Sequence, residues 1–368
     1  MSKQILIRAD ASHKIGTGHV MRCLALANEA RQRGWECTFV LRDPESEIVK
    51  LIASFDHRVN KLVSLDYDEK IFSNVKAHGN WLPVSQNQDA SETADIIHIL
   101  KPDWIIVDHY ALDAVWFAIV KKSNVKILVI DDLGNRDLIC DLLLNQNLGA
   151  SAEKYDGKVP INCNFLFGPT FALLRSEFRD WRERSLTGRL DRNIKKILIT
   201  MGGSDAENYT LLVLKEIIKS KYAKKCEFTV IVGVSYPYSK ALNEVIDSSD
   251  VNILVLSKVK NMAEIMSKSD LCIGAAGSTS WERCCLGQPT ITFSIANNQV
   301  ETAEQLSKKN IAIYSNISNL LEDFDQFFGS SGKELQRVLI TNSLLICDGF
   351  GAPRVVEELE KKFENRNS

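Results

Sequence analysis

The residues best suited to chemistry stand near the start of the chain, in the run Ile15-Gly16-Thr17-Gly18-His19. This run follows the apolar stretch Ile5-Leu6-Ile7 and opens into a helix-patterned segment, residues 20–33, which places an imidazole at a strand-to-helix turn. Gly16 and Gly18 let the backbone pass close to a ligand, and a helix start offers free N–H groups to anything anionic. A base beside an anion seat can activate water or a hydroxyl. All six histidines (His13, His19, His57, His78, His98 and His109) fall in the first third of the chain, which confines imidazole chemistry to that part.

The second half repeats the device without a histidine. The run Lys196-Ile197-Leu198-Ile199-Thr200-Met201 feeds Gly202-Gly203-Ser204-Asp205, and Leu271-Cys272-Ile273 feeds Gly274-Ala275-Ala276-Gly277-Ser278-Thr279-Ser280. Small and hydroxylated residues at a helix start suit a diphosphate. Neither loop matches GxxxxGK(S/T) or GxGxxG, which argues against an NTPase or a dinucleotide enzyme.

Several residues carry two readings each. Glu282, one turn into the helix after Ser278, can accept both hydroxyls of a ribose or simply complement the helix dipole. Asn298 and Gln299 offer amides to sugar hydroxyls or acetamido groups, or cap a turn. Asp10 can orient His19, bind sugar hydroxyls or cap a turn; Arg22, one turn from His19, is structural or faces the site; His109 is packed or part of it.

Positioning these groups takes parallel sheets. Apolar runs at residues 4–8, 37–41, 104–108 and 127–131, then at 196–201, 228–232, 251–256, 271–274 and 290–293, alternate with helix-period segments. The expected organisation is an N-terminal domain over residues 1–185, a C-terminal domain over 186–350, and a last helix within 351–368 that packs back on the first. The arginine-rich run at 178–193 reads as a solvated linker, and the polar segment 65–93 as an excursion beside the first sheet.

A chain of 368 residues exceeds what one core usually serves, and its net charge of -2, with scattered Lys and Arg, argues against nucleic acid as a partner. No apolar run approaches bilayer length and no signal-peptide pattern opens the chain, so a cytoplasmic, monomeric protein without membrane insertion is expected. The nine cysteines lack CxxC spacing and read as reduced, mostly buried thiols.

These motifs together resemble a known family. Arg8-Ala9-Asp10, the Ile15 to Cys23 run, Val107-Asp108-His109-Tyr110, Ile130-Asp131-Asp132-Leu133, Phe167-Gly168-Pro169, Met201-Gly202-Gly203-Ser204-Asp205 and the stretch from Gly277 through Trp281-Glu282-Arg283-Cys284-Cys285-Leu286-Gly287 are similar to the UDP-2,4-diacetamido-2,4,6-trideoxy-altropyranose hydrolases of pseudaminic acid biosynthesis. The resemblance implies an α/β architecture of GT-B type, two Rossmann-like domains facing across a cleft, with no metal and no cofactor. It implies His19 as general base and Tyr110 near the sugar or phosphates. The nucleotide contacts it implies fall on Gly202, Gly203, Ser278, Thr279 and Glu282; Ser204 and Gly277 of the same loops are further candidates for binding the substrate, and Gly16 and Gly18 then serve the sugar. The chain departs from the family pattern at Phe171, Ala206, Asn145 and Asn297, and the last of these bears on which sugar is bound. A UDP-sugar hydrolase is therefore expected, with a GT-B glycosyltransferase and a non-catalytic nucleotide-sugar-binding protein as the alternatives.

Overall fold

Near-continuous Val, Ile and Leu segments form strands that a parallel sheet can bury on both faces. The structure, a computed structural model, describes residues 3–12, 15–64, 78–203, 205–233 and 236–364. Its described part divides into two compact units, Met1–Leu173 with Gly351–Ser368, and Leu174–Phe350.

In the first unit β1 (Gln4–Ala9), β2 (Glu36–Arg42), β3 (Arg58–Leu62), β4 (Trp104–Asp108), β5 (Lys126–Ile130), β6 (Leu142–Asn145) and β7 (Asn164–Phe167) form one sheet in the order β3-β2-β1-β4-β5-β6-β7. All its pairings are parallel. One face is closed by the helix Gly18–Gln32 and by the C-terminal helix Gly351–Glu364, whose Val355, Val356 and Leu359 share a core with Ile7, Val20 and Leu26. Arg33 ties the two helices, donating to Glu360 at 3.0 Å and to the Pro353 carbonyl at 3.1 Å. The other face packs Trp116, Phe117 and Ile97 against Leu6, Ile105 and Val107.

In the second unit β8 (Lys196–Thr200), β9 (Glu227–Ile231), β10 (Asn252–Leu256), β11 (Leu271–Ala275), β12 (Thr290–Phe293) and β13 (Ile313–Tyr314) are ordered β10-β9-β8-β11-β12-β13, again all parallel. Strand order therefore reverses between β1 and β4 in one sheet and between β8 and β11 in the other. At such a point the loops leaving the carboxyl ends diverge and open a crevice, where ligands of open parallel sheets bind.

Two expectations need correction. The arginine-rich run is no solvated linker: Ser176–Leu186 is a helix of the second unit, so the division falls at Leu173 rather than near residue 185. Arg182 donates to the carbonyls of Cys285 and Cys347, and Arg189 donates to those of Ser185 and Ser269, both at 3.0 Å, and of Ser267 at 2.8 Å. Burial pulls the Arg189 guanidinium down to about 9. Charged heads here satisfy carbonyls at element ends while their stems pack, a use that charge counting along the sequence does not see.

The polar segment 65–93 is likewise in part regular structure. Residues 65–77 lie outside the described chain, but Gly79–Trp81 is a 3-10 turn, and the helix Gln86–Leu100 starts on Ser85, whose hydroxyl accepts from Gln88 N at 3.2 Å. Among the described residues no helix is long and apolar enough to cross a membrane. The nine cysteines are free and buried.

Candidate functional site

Both switch points carry residues singled out in the sequence. In the first unit the chain leaves β1 and turns at Ser12 to Gly16, where Gly16 N donates to the Ser12 carbonyl at 2.7 Å. Gly16 has φ +75°, a left-handed value that favours glycine. The turn delivers His19 as the second residue of the helix Gly18–Gln32, while β4, next to β1, ends on Asp108. His19 Nδ1 lies 2.6 Å from Asp108 Oδ1. Arg22, one helical turn on, grips the same carboxylate with two bonds, Nε to Oδ2 at 2.5 Å and Nη2 to Oδ1 at 2.6 Å.

Burial alone would push the Asp108 carboxyl up, but Arg22 and His19 beside it outweigh that and hold it well below the usual carboxylate range. As an anion Asp108 accepts the Nδ1 proton, which leaves the lone pair of neutral His19 on Nε2. That nitrogen has no hydrogen-bond partner among the described residues.

Aromatic rings surround this base. Tyr110 and Trp81 stand edge-on to the imidazole with centroids at 4.7 and 5.5 Å, and Trp81 stacks on Tyr110 at 5.4 Å. The Tyr110 hydroxyl donates to Asp132, and burial together with that carboxylate pushes the phenol well above its ordinary value. Tyr110 is thus a neutral donor already committed to Asp132. Nothing in the polar segment around Trp81 marked it in advance, because a ring reaches a histidine far away in sequence only through the fold.

Asp10 serves a second network. Its Oδ1 accepts from Arg8 Nη1 at 2.6 Å and Arg42 N at 2.8 Å; its Oδ2 accepts from Arg8 Nη2 at 2.9 Å and faces His109 Nε2 at 3.1 Å. Three hydrogen bonds thus hold this carboxylate, while His109 Nε2 stands close to it without making one. His109 Nδ1 accepts from Ala111 N at 3.2 Å, so the ring proton sits on Nε2, and burial lowers its affinity for a second proton. Asp10 therefore lies beside His109, and the orienting group of His19 is Asp108. Beneath, Asp89 accepts from Arg8, Arg42 and Trp116 Nε1 at 2.8 to 3.1 Å, joining β1 and β2 to two helices.

In the second unit the strand ends carry backbone instead of titratable groups. Gly202 has φ +88°, and Gly233 approaches so closely that a Cβ there would stand 2.3 Å from the Gly203 carbonyl oxygen. The helix after this loop begins only at Tyr209, and Asp205 accepts from Tyr209 N and Thr210 N, both at 2.8 Å. Two of its first-turn donors are thus already satisfied, and in the loop before them Gly203 is exposed and Gly202 half-buried. Ser204 lies outside the described residues.

After β11, Gly277 and Ser278 lead into the helix Thr279–Cys285, with Ser278 exposed. Buried Arg283 pins this turn from inside, donating to the Ala275 carbonyl at 2.8 Å and Ser280 Oγ at 2.9 Å. Burial pushes the Glu282 carboxyl up, opposed by Arg175 3.6 Å away. Gln299 spends its carbonyl on Ile295 N at 3.1 Å, while Asn298 is exposed.

Residues 196–325 match the glycosyltransferase family 28 C-terminal domain. Across 83% of its length the chain is 28% identical to the UDP-2,4-diacetamido-2,4,6-trideoxy-beta-L-altropyranose hydrolase of Campylobacter jejuni, covering 97% of that protein. It is 26% identical, again over 83% of its length, to an uncharacterized protein of Methanocaldococcus jannaschii, of which it spans 58%. In shape it is similar to MurG of Acinetobacter baumannii, with a TM-score of 0.66 and 14% identity over 98% of this chain and 99% of that one. The fold is of GT-B type.

Proposed function

We propose that the chain hydrolyses a UDP-linked 2,4-diacetamido-2,4,6-trideoxy sugar of the kind that feeds pseudaminic acid synthesis, releasing UDP and the free sugar. The observation that carries this reading is the His19–Asp108 pair at 2.6 Å with Nε2 left unclaimed. His19 Nε2 takes a proton from water as the water oxygen bonds to the anomeric carbon. The bond from that carbon to the diphosphate oxygen breaks, and UDP leaves with the electron pair. Asp108, fixed by Arg22, holds the productive tautomer and stabilises the imidazolium as it forms. UDP leaves as an anion, so backbone donors at Gly202, Gly203, Gly277, Ser278 and Thr279 take the place of the acid that ordinary glycosidases need. Glu282 is assigned to the ribose and Asn298 and Gln299 to the sugar or its amides. Attack opposite the leaving group inverts the anomeric centre.

The family 28 match favours a second reading, transfer to a sugar hydroxyl that stands where water would. One experiment separates them: NMR of the purified chain with the UDP-diacetamido sugar and no acceptor, following UDP and the first anomer formed. Prompt UDP release with an inverted sugar is expected, whereas release only on adding an acceptor overturns hydrolysis. His19→Asn is expected to lower turnover at least about 10²-fold while UDP still binds.

A further inference from the structure

Beside the His19 pair, in the first unit, lies a cavity of about 240 Å³ lined by Asp10, Ser12, Ile15, Arg42, Asn80 and Trp81, among others. It is smaller than the roughly 300–1,000 Å³ of a pocket that takes a whole small ligand, and suits one arm of one. Trp81 is the wall it shares with the base, since the same ring stands edge-on to His19. Arg42 adds the decisive feature. Its side chain is fully buried; Nε donates to Asp89 and Nη2 to Glu92, yet Nη1 has no hydrogen-bond partner among the described residues. A buried guanidinium nitrogen without an acceptor costs stability unless a ligand supplies one.

We infer that this cavity is the seat of one acylamino substituent of the sugar, its carbonyl oxygen accepting from Arg42 Nη1 and its methyl group resting against Trp81. The inference rests on the UDP-sugar reading above and names the part of the substrate that the first unit recognises. A free amino group fits the seat poorly. As an ammonium it brings only donors and a second positive charge, while Arg42 Nη1 needs an acceptor. A hydroxyl can meet Arg42 but leaves the indole wall uncovered. A site built around a hydrogen bond rejects the analogue that lacks it far more strongly than an apolar pocket rejects a missing methyl.

The test uses the UDP-diacetamido sugar and its two mono-amino analogues, each lacking one acetyl group, with UDP release as the readout. One of the two analogues is expected to lose about 10²-fold in kcat/KM and the other far less. Arg42→Lys is expected to cost about tenfold on the diacetamido sugar and nothing on the discriminated analogue, which has already lost the bond; a purely structural role would depress both alike. Trp81→Ala is expected to narrow the same preference and serves if the lysine variant does not fold. Equal kcat/KM for all three sugars in the parent protein, or a preference for a free amine, overturns the inference and leaves hydrolysis standing. If no sugar releases UDP, hydrolysis falls instead; saturation-transfer NMR with the same three UDP-sugars then reads the cavity, and equal binding of all three overturns its assignment.

Discussion

The carboxyl ends of β1 and β4 and those of β8 and β11 occupy equivalent places in two parallel sheets, yet they are furnished in opposite ways. The first pair holds interlocked charges: Asp108 between His19 and Arg22, and Asp10 between Arg8 and His109. The second presents Gly202, Gly203, Gly277 and Ser278, with Gly233 in close backbone approach. Moving a proton needs a side chain whose tautomer and direction are fixed by neighbours, whereas holding an anion needs a backbone that comes close. The first arrangement should be intolerant of changes in charge, the second of added bulk.

The largest expected effect tests the first half of that contrast. Asp108→Asn keeps the shape but removes the anion that sets the His19 tautomer, so kcat for UDP release should fall about 10³-fold with UDP affinity within about twofold. An equal loss in UDP affinity, measured by calorimetry, would make the charged cluster a binding device and break the comparison.

Acid should separate the two units next. His57, bonded to Asn28 Oδ1 at 2.8 Å, is pulled down to about 4 by burial and then by Arg31. An unfolded histidine titrates near 6.5, so as pH falls from about 6.5 to 4 the unfolded chain takes up a proton that the folded chain refuses. Stability therefore declines across that window, by up to about 3 kcal/mol, and levels off below it. Buried His109 acts in the same direction. Asp10 and Asp108, held low by their cationic neighbours, lose their stabilising contribution as pH drops further, below about 4. All four lie in the first unit, and the second has no histidine. Hydrogen exchange read separately for the two units should show the first losing protection at higher pH; simultaneous loss would mean that the units unfold as one.

A smaller effect addresses bulk. Gly233→Ala puts a methyl where the Gly203 carbonyl stands and forces that loop to move. UDP affinity should weaken about tenfold while kcat changes by less than about twofold, because His19 and Asp108 belong to the other unit. A matching fall in kcat at saturating substrate would show that the second unit shapes the chemical step as well.

The sequence made this contrast partly legible. Nine strands announce themselves as apolar runs, but Arg58–Leu62 alternates with polar residues at a sheet edge, and Leu142–Asn145, Asn164–Phe167 and Ile313–Tyr314 are too short to carry a period. His19 stands out locally because glycines and a helix start surround it. Its partner Asp108, separated by 89 positions, meets it only because β1 and β4 are neighbours in the sheet. The same holds for Trp81 and for Arg42, whose open Nη1 is a property of packing rather than of spacing. Arg182 and Arg189 misled for the converse reason: their solvent-like run encodes carbonyl contacts that no local pattern reveals.

The smallest expected effect falls on Glu282, where the two halves of the contrast meet. It is a titratable side chain set among glycine loops, buried enough for its carboxyl to be pushed up and only loosely partnered by Arg175 at 3.6 Å. If its work is to accept ribose hydroxyls, Glu282→Gln keeps one acceptor oxygen and loses the charge, so KM should rise about threefold with kcat unchanged. If it only complements the helix Thr279–Cys285, the same change should leave KM alone and lower thermal stability slightly, by the few tenths of a kcal/mol typical of an acidic residue in a first turn. Measuring KM with the UDP-sugar alongside Tm for the one variant decides between these. A drop in kcat would place a side-chain charge of the second unit in the chemical step, and the proposed division between a proton-moving unit and an anion-holding one would no longer stand.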